Sequence, residues 1–210
     1  MIIGITGFIG SGKDTAADYL CTFHGFKRLS FAGTLKDAVA AVFSWDREML
    51  EGTTKSSREW REQVDQWWAD RLNIPHLTPR WVLQQWGTEV CRKGFHEDIW
   101  VASVENKLRS TTDNIVITDC RFANEVLAIK NAGGITARVE RGPRPNWYDD
   151  AVALNRGPQH IGWAIAKDRL SRAGVHASEY SSVGLDYDHY IDNNGTLDNL
   201  HQQIKSIVNL

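Results

Sequence analysis

Cysteine is scarce in this chain. There are three in 210 residues, Cys21, Cys91 and Cys120, far apart and with no CxxC pair. A disulfide framework or a cysteine zinc site is therefore not expected, and a reducing cytosol is the simple reading. No apolar run approaches the length needed to span a bilayer, so no membrane partner is expected. The N-terminus lacks the charged and apolar regions of a signal peptide. The charge is nearly balanced, with 24 Lys and Arg against 26 Asp and Glu. With no polybasic run or basic tail, a general grip on nucleic acid is not expected either. Internal repeats and low-complexity tracts are also missing.

What is present is enough apolar material, 42%, to bury a real core in one sizeable domain. Nine tryptophans fall mostly in helical-looking stretches, where core packing is their default role. MIIGIT reads as a strand buried on both faces, followed by a glycine loop and a helix over 13–23. Further strands are expected at 26–31, 114–118, 135–140 and 189–191, with helices at 35–43, 125–131 and 197–208. Ser57 to Leu72 reads as one amphipathic helix, with Trp60, Val64, Trp67, Trp68 and Leu72 on a single stripe. Thr78-Pro79 reads as an N-cap and first helical position for a helix running through Trp86, and 98–108 as another helix. Residues 142–186 are rich in Gly, Pro, Asn and charge, with a helical piece near 162–173, and suggest a lid or insertion. Alternating strands and helices predict an α/β doubly wound parallel sheet.

GFIGSGKDT carries chemistry. Gly7, Gly12 and Lys13 satisfy G-x-x-x-x-G-K between a strand and a helix. Gly10, Ser11 and Gly12 let the backbone curl with its N–H groups inward as a nest for phosphate oxygens. Lys13 brings a mobile positive charge to the β- and γ-phosphates of ATP. Asp14 stands where a hydroxyl residue is usual. Its carboxylate could serve Mg2+ directly or through water, or cap the helix, and Thr15 can still donate to a phosphate.

Four later segments complete a pattern: FAGTLKDAV, RWVLQQWGTEV (80–90), TDCRFANE (118–125), and HASEY (176–180) followed by DNNGT (192–196). With GSGKDTAAD, and in this order across almost the whole chain, they resemble the phage deoxynucleoside monophosphate kinases. The resemblance implies a P-loop NTPase fold with a five-stranded parallel sheet. It also implies transfer of the γ-phosphoryl of ATP to a deoxynucleoside monophosphate (dNMP), with Mg2+. An acceptor-binding helical region is expected near 45–100 and a lid near 142–182. Residues 145–174 look like an insertion relative to the family.

Phosphoryl transfer asks for positioning and charge, and a phosphate acceptor needs no strong general base. Arg80 is the candidate to grip the acceptor phosphate bidentately. Asp119 ends an apolar strand, where ligands gather in open α/β sheets, and can order Mg2+ through water. Arg121, two residues on, could reach either phosphate, with an N-cap role for Asp119 and an ion pair for Arg121 as the plain alternatives. Arg138, Arg141 and Arg144 cluster near the exit of the fourth strand. Arg141 sits where the family has an arginine before its lid and could neutralise the γ-phosphate. Gln84 offers a donor and an acceptor to a base edge, and Trp100 a stacking face or a core ring. Lys36 fits the family's lysine and could approach the acceptor phosphate. Asn193, Asn194 and Gly195 form a turn where related kinases place the adenine of ATP, or a plain Asn-Gly turn. His176 and Glu179 match the family's H-x-[ST]-E segment without an assigned role.

The expected partners are thus small nucleotides in the cytoplasm, the host's if the gene is a phage's, with a homodimer left open. The rival readings are a kinase for another small acceptor, of dephospho-coenzyme A or phosphomevalonate type, and an ATPase or switch acting on a partner.

Overall fold

The computed structural model describes residues 1–209. The chain divides into two compact units, one of residues 1–29 with 110–210 and one of residues 30–109.

The first unit is built on an all-parallel sheet of five strands, β1 (Ile2–Thr6), β2 (Lys27–Leu29), β3 (Ile115–Ile117), β4 (Ile135–Glu140) and β5 (His189–Asp192), in the order β2-β3-β1-β4-β5. β1 lies at the centre, paired with β3 through Gly4 and Ile117 and with β4 through Thr6 and Arg138. Both faces of β1 are covered, which is why its sequence is almost wholly apolar. Ile3 and Ile5 pack with Ala16, Ala17 and Leu20 of α1 (Lys13–His24) and with Leu200 and Ile204 of α12 (Leu197–Val208). Each fully buried isoleucine contributes roughly 1.5–3 kcal/mol. This is the P-loop NTPase architecture, with the glycine loop between the central strand and α1.

Near the other end of the sheet, Asp188 ties the start of β5 to β4. It accepts from the Thr136 backbone N–H at 2.8 Å and from the Thr136 hydroxyl at 2.7 Å. Burial alone would push this carboxyl up, but the two Thr136 bonds and Lys130 outweigh it and hold it below its ordinary 3.8. In the other unit, burial likewise opposes ionisation of Glu51, and Lys36 and Arg47 hold it below its ordinary 4.5. A lowered carboxylate stabilises the fold fully above its unfolded value, and that stability is lost as pH falls through the folded value. Unfolding midpoints should therefore be flat near neutrality and fall once the pH drops below about 4.5 and then 3.8. Asp188→Asn should blunt the lower part of that loss, as read by urea titration at pH 3 to 7.

Residues 142–182 belong to the sheet unit and carry α9 (Tyr148–Asn155), α10 (Trp163–Arg172) and the short α11 (Ala177–Tyr180). The segment packs on the phosphate loop. The ring of Phe8 meets Trp147 edge-on at 5.5 Å, and the Asn155 amide donates to the carbonyls of Tyr180 and Val183, each at 2.7 Å. α8 (Ala123–Asn131) completes the unit.

The second unit is all helical: α2 (Gly33–Phe43), α3 (Arg47–Glu51), α4 (Lys55–Arg61), α5 (Gln66–Leu72), α6 (Pro79–Gln84), a π-helical segment Gln85–Lys93, and α7 (Ile99–Arg109). Its core is aromatic, with Phe43, Trp45 and Trp100 around Leu35, Val39, Leu50 and Val82.

The single helix expected from Ser57 to Leu72 is two helices. Asp65 starts the second, its carboxylate accepting the Trp68 N–H at 3.2 Å and the Trp45 indole N–H at 2.7 Å. The proposed stripe splits accordingly. Trp60 and Trp68 pack against the core, whereas Trp67 is 63% exposed. The helix expected through Trp86 changes hydrogen-bond pattern at Gln85 and continues as a π-helix, an arrangement frequent at functional sites.

Candidate active site

The phosphate loop is shaped by close approaches. A Cβ at Gly7 would come 2.6 Å from the Val139 carbonyl, and one at Gly12, where φ is +96°, would overlap the Asn193 amide. Neither position admits a side chain without moving β4 or the loop after β5. The Asn193 amide, in turn, donates to the Ser11 carbonyl at 2.7 Å and pins the loop. The Ser11 hydroxyl is buried without a partner among the described residues. The N-cap of α1 is Gly12, which has no side chain to cap with, so the first N–H groups of this twelve-residue helix remain for an anion.

Lys13 lies on a small cavity of about 30 Å3, lined also by Gly7, Thr118, Arg121, Ser178 and Glu179. Two loops meet there, one from the carboxyl end of β1 and one from that of β3. The predicted cations Lys13 and Arg121 thus converge. The Arg121 guanidinium is 3.5 Å from the Glu179 carboxylate and 3.4 Å from the Ser178 hydroxyl. It is 46% exposed in its side chain, so this pair is weak and exchangeable. Buried Glu125 accepts the backbone N–H of Arg121 at 2.7 Å and fixes the turn that presents it.

Asp14 does not cap α1. Its carboxylate meets Lys13 at 3.0 Å and Arg28 at 3.6 Å. Burial would raise it, but Lys13, the Thr118 hydroxyl and Arg28 together hold it below the usual carboxylate value. It is therefore ionised, and like Thr15 it is open to solvent beside the phosphate loop. Asp119 is half-buried just past β3. Among the described residues no three His, Cys, Asp or Glu side chains converge as a metal cage. Mg2+ asks for less, one or two carboxylates with phosphates and waters, and this donor set fits that demand.

A larger cavity of about 340 Å3 lies between the loops after β4 and β5, lined by Phe8, Arg141, Arg144, Tyr190 and Asn194 among others. Arg141 thus lies on this cavity and not on the one that holds Lys13. Asn194 accepts the Gly142 N–H at 2.8 Å, while Gly195 lies against Asn199. The arginine cluster expected at the exit of β4 is divided. Arg138 is 1% exposed within the strand, donating to the Ser182 carbonyl at 3.0 Å and lying over the Phe8 ring at 4.9 Å. Arg144 instead lies over Tyr148.

In the helical unit, Arg80 pairs with Glu62 at 2.9 Å and Lys36 with Glu51 at 2.6 Å. Gln84 is exposed at the end of α6. Trp100 is 8% exposed and its indole N–H is bonded to the Gly87 carbonyl at 2.9 Å. It stands here as a core ring, and stacking on a base would require it to be uncovered. Arg28, which lies beside Asp14, was not legible in the sequence, because no motif marks it.

Across 99% of its length the chain is 30% identical to a deoxynucleotide monophosphate kinase of Acanthamoeba polyphaga mimivirus, covering 96% of that protein. The chain belongs to the deoxynucleoside monophosphate kinase family. A second member of it, the deoxynucleoside-5'-monophosphate kinase of Escherichia phage T5, is 24% identical over 84% of this chain and 86% of its own length. No protein-family model matches. Among solved structures, TT1252 of Thermus thermophilus aligns over all of this chain and 96% of its own at 18% identity and a TM-score of 0.44. A dephospho-CoA kinase from Campylobacter jejuni aligns over 99% of this chain and 95% of its own at 15% identity and a TM-score of 0.40.

Proposed function

We propose that the protein transfers the γ-phosphoryl of ATP to a deoxynucleoside monophosphate, giving ADP and the deoxynucleoside diphosphate. The observation that carries this reading is the convergence of Lys13 and Arg121 at the ends of β1 and β3, in a chain related end to end to dNMP kinases.

The phosphate-loop amides and α1 would hold the β-phosphate of ATP, with Lys13 on the β- and γ-oxygens. The larger cavity beside Arg141 and Asn194 would take the adenine and ribose. Arg121 would leave Glu179 for the transferring phosphoryl group, whose charge spreads over its equatorial oxygens. Mg2+, held by Asp14 and through water by Asp119, would neutralise charge on the triphosphate. The helical unit would bind the dNMP, with Arg80 on its phosphate and Lys36 and Gln84 nearby. That phosphate has a second pKa near 6, so at neutral pH it is largely dianionic and can attack without a base. An acceptor oxygen bonds to the γ-phosphorus while the bond to the β,γ-bridging oxygen breaks, and ADP leaves with the electron pair.

Residues 142–182 act as the lid in this reading and keep water from the γ-phosphate. A coupled ADP assay with Mg-ATP across all deoxy- and ribonucleoside monophosphates tests it. ADP release should depend on an added dNMP. Fast ATP turnover without any acceptor would instead favour an ATPase or switch.

A further inference from the structure

The helical unit contains a cation that the sequence motifs do not mark. Arg61 ends α4, and its guanidinium lies against Gly52, where a Cβ would overlap it and where φ is +68°. At the turn between α3 and α4 the arginines meet backbone carbonyls. Arg61 donates one long bond of 3.4 Å to Leu50, and Arg58 takes the Thr53 carbonyl at 2.9 Å. The Nε–H of Arg61 is buried and has no acceptor among the described residues. Among the described residues neither Arg61 nor Arg58 forms an ion pair with a carboxylate, whereas Arg80 has Glu62, and Lys36 and Arg47 share Glu51. Burial lowers the pKa of Arg61 from its ordinary value, and the positive charges of Arg80 and Arg58 lower it further against the pull of Glu62 and Glu51.

Like-charged guanidiniums held together, one of them withdrawn from water with an unmet donor, are costly until an anion joins them. A planar fork with free N–H groups suits a phosphate better than a point charge. We propose that Arg61 is a second guanidinium on the acceptor phosphate, acting beside Arg80; this rests on the reading of the helical unit as the dNMP site. The α3–α4 turn, with glycine at position 52, holds the side chain ready for that anion.

The test compares wild type with Arg61→Gln and Arg61→Lys. Calorimetric titration uses the best dNMP substrate, its nucleoside, and inorganic phosphate, and steady-state kinetics run in parallel. Arg61→Gln should weaken dNMP binding and raise its KM by about 10- to 100-fold, the range for one lost charge-assisted hydrogen-bond pair. Nucleoside binding and the KM for ATP should stay within about twofold. Arg61→Lys should lose less, because the charge remains. The proposal is overturned if Arg61→Gln, or Arg61→Lys where the former does not fold, binds dNMP as tightly as wild type. It is also overturned if nucleoside and nucleotide lose affinity equally, which would mark a structural role. If wild type turns over no dNMP at all, the kinase reading fails separately. The phosphate titration then decides: binding lost in Arg61→Gln keeps the anion site, and no binding by wild type removes it.

Discussion

Lys13→Ala is expected to lower kcat for dNMP phosphorylation by about 10^2- to 10^3-fold, the scale for removing one preorganised charge from a developing transition state. The Lys13 side chain is only 20% exposed, on the cavity that also takes Arg121. Its partner in the structure is its own neighbour Asp14, whose side chain is 61% exposed. Such a pair contributes about 0–1 kcal/mol, so the variant should fold with an almost unchanged unfolding midpoint. The deficit should lie in kcat and in ATP use, with dNMP affinity intact by titration, since Arg80 and Arg61 belong to the other unit. A folded Lys13→Ala enzyme with kcat within tenfold of wild type would remove Lys13 from the chemistry.

The legible parts of this molecule are those whose cause lies within a few neighbouring residues. Strand β1, the glycine loop and α1 follow from a buried apolar run, glycines that permit close backbone approach, and a helix whose capping position carries no side chain. The five strands and their alternation with helices were equally local. The illegible parts depend on distance along the chain. The Asn193 bond that pins Ser11 spans 182 residues, and the Arg121–Glu179 contact spans 58. No spacing rule yields either, because the sheet order and the fold of 142–182 decide them.

Residues able to play two parts were decided only by their surroundings. Asp65 fits the polar face of a long helix, yet its carboxylate caps a new one because Trp45 and the Trp68 N–H both reach it. Trp100 offers a stacking face in the sequence, but the π-helical turn exposes the Gly87 carbonyl to its indole and holds it in the core. Arg138 read as one of three arginines clustered at the exit of the fourth strand, and only the structure shows it beneath Phe8, where strand β4 passes under the phosphate loop.

Arg80→Gln should separate the two substrates. The KM for dNMP is expected to rise about 10- to 100-fold, the worth of a bidentate charged bond to phosphate, while the KM for ATP stays within about twofold. Arg80 enters α6 one residue after its first-position proline, and among the described residues it forms its ion pair with Glu62. Both side chains of that pair are about half exposed, so it contributes little to stability and yields readily to a dianion. Removing Glu62 should therefore leave dNMP use intact, whereas removing Arg80 should not. Arg80→Lys should recover only part of the loss, because an ammonium cannot present two parallel donors. With Arg61 close enough for the two charges to act on one another, the double variant should lose less than the product of the single losses. Unchanged dNMP kinetics in a folded Arg80→Gln enzyme would move the acceptor phosphate away from α6 altogether.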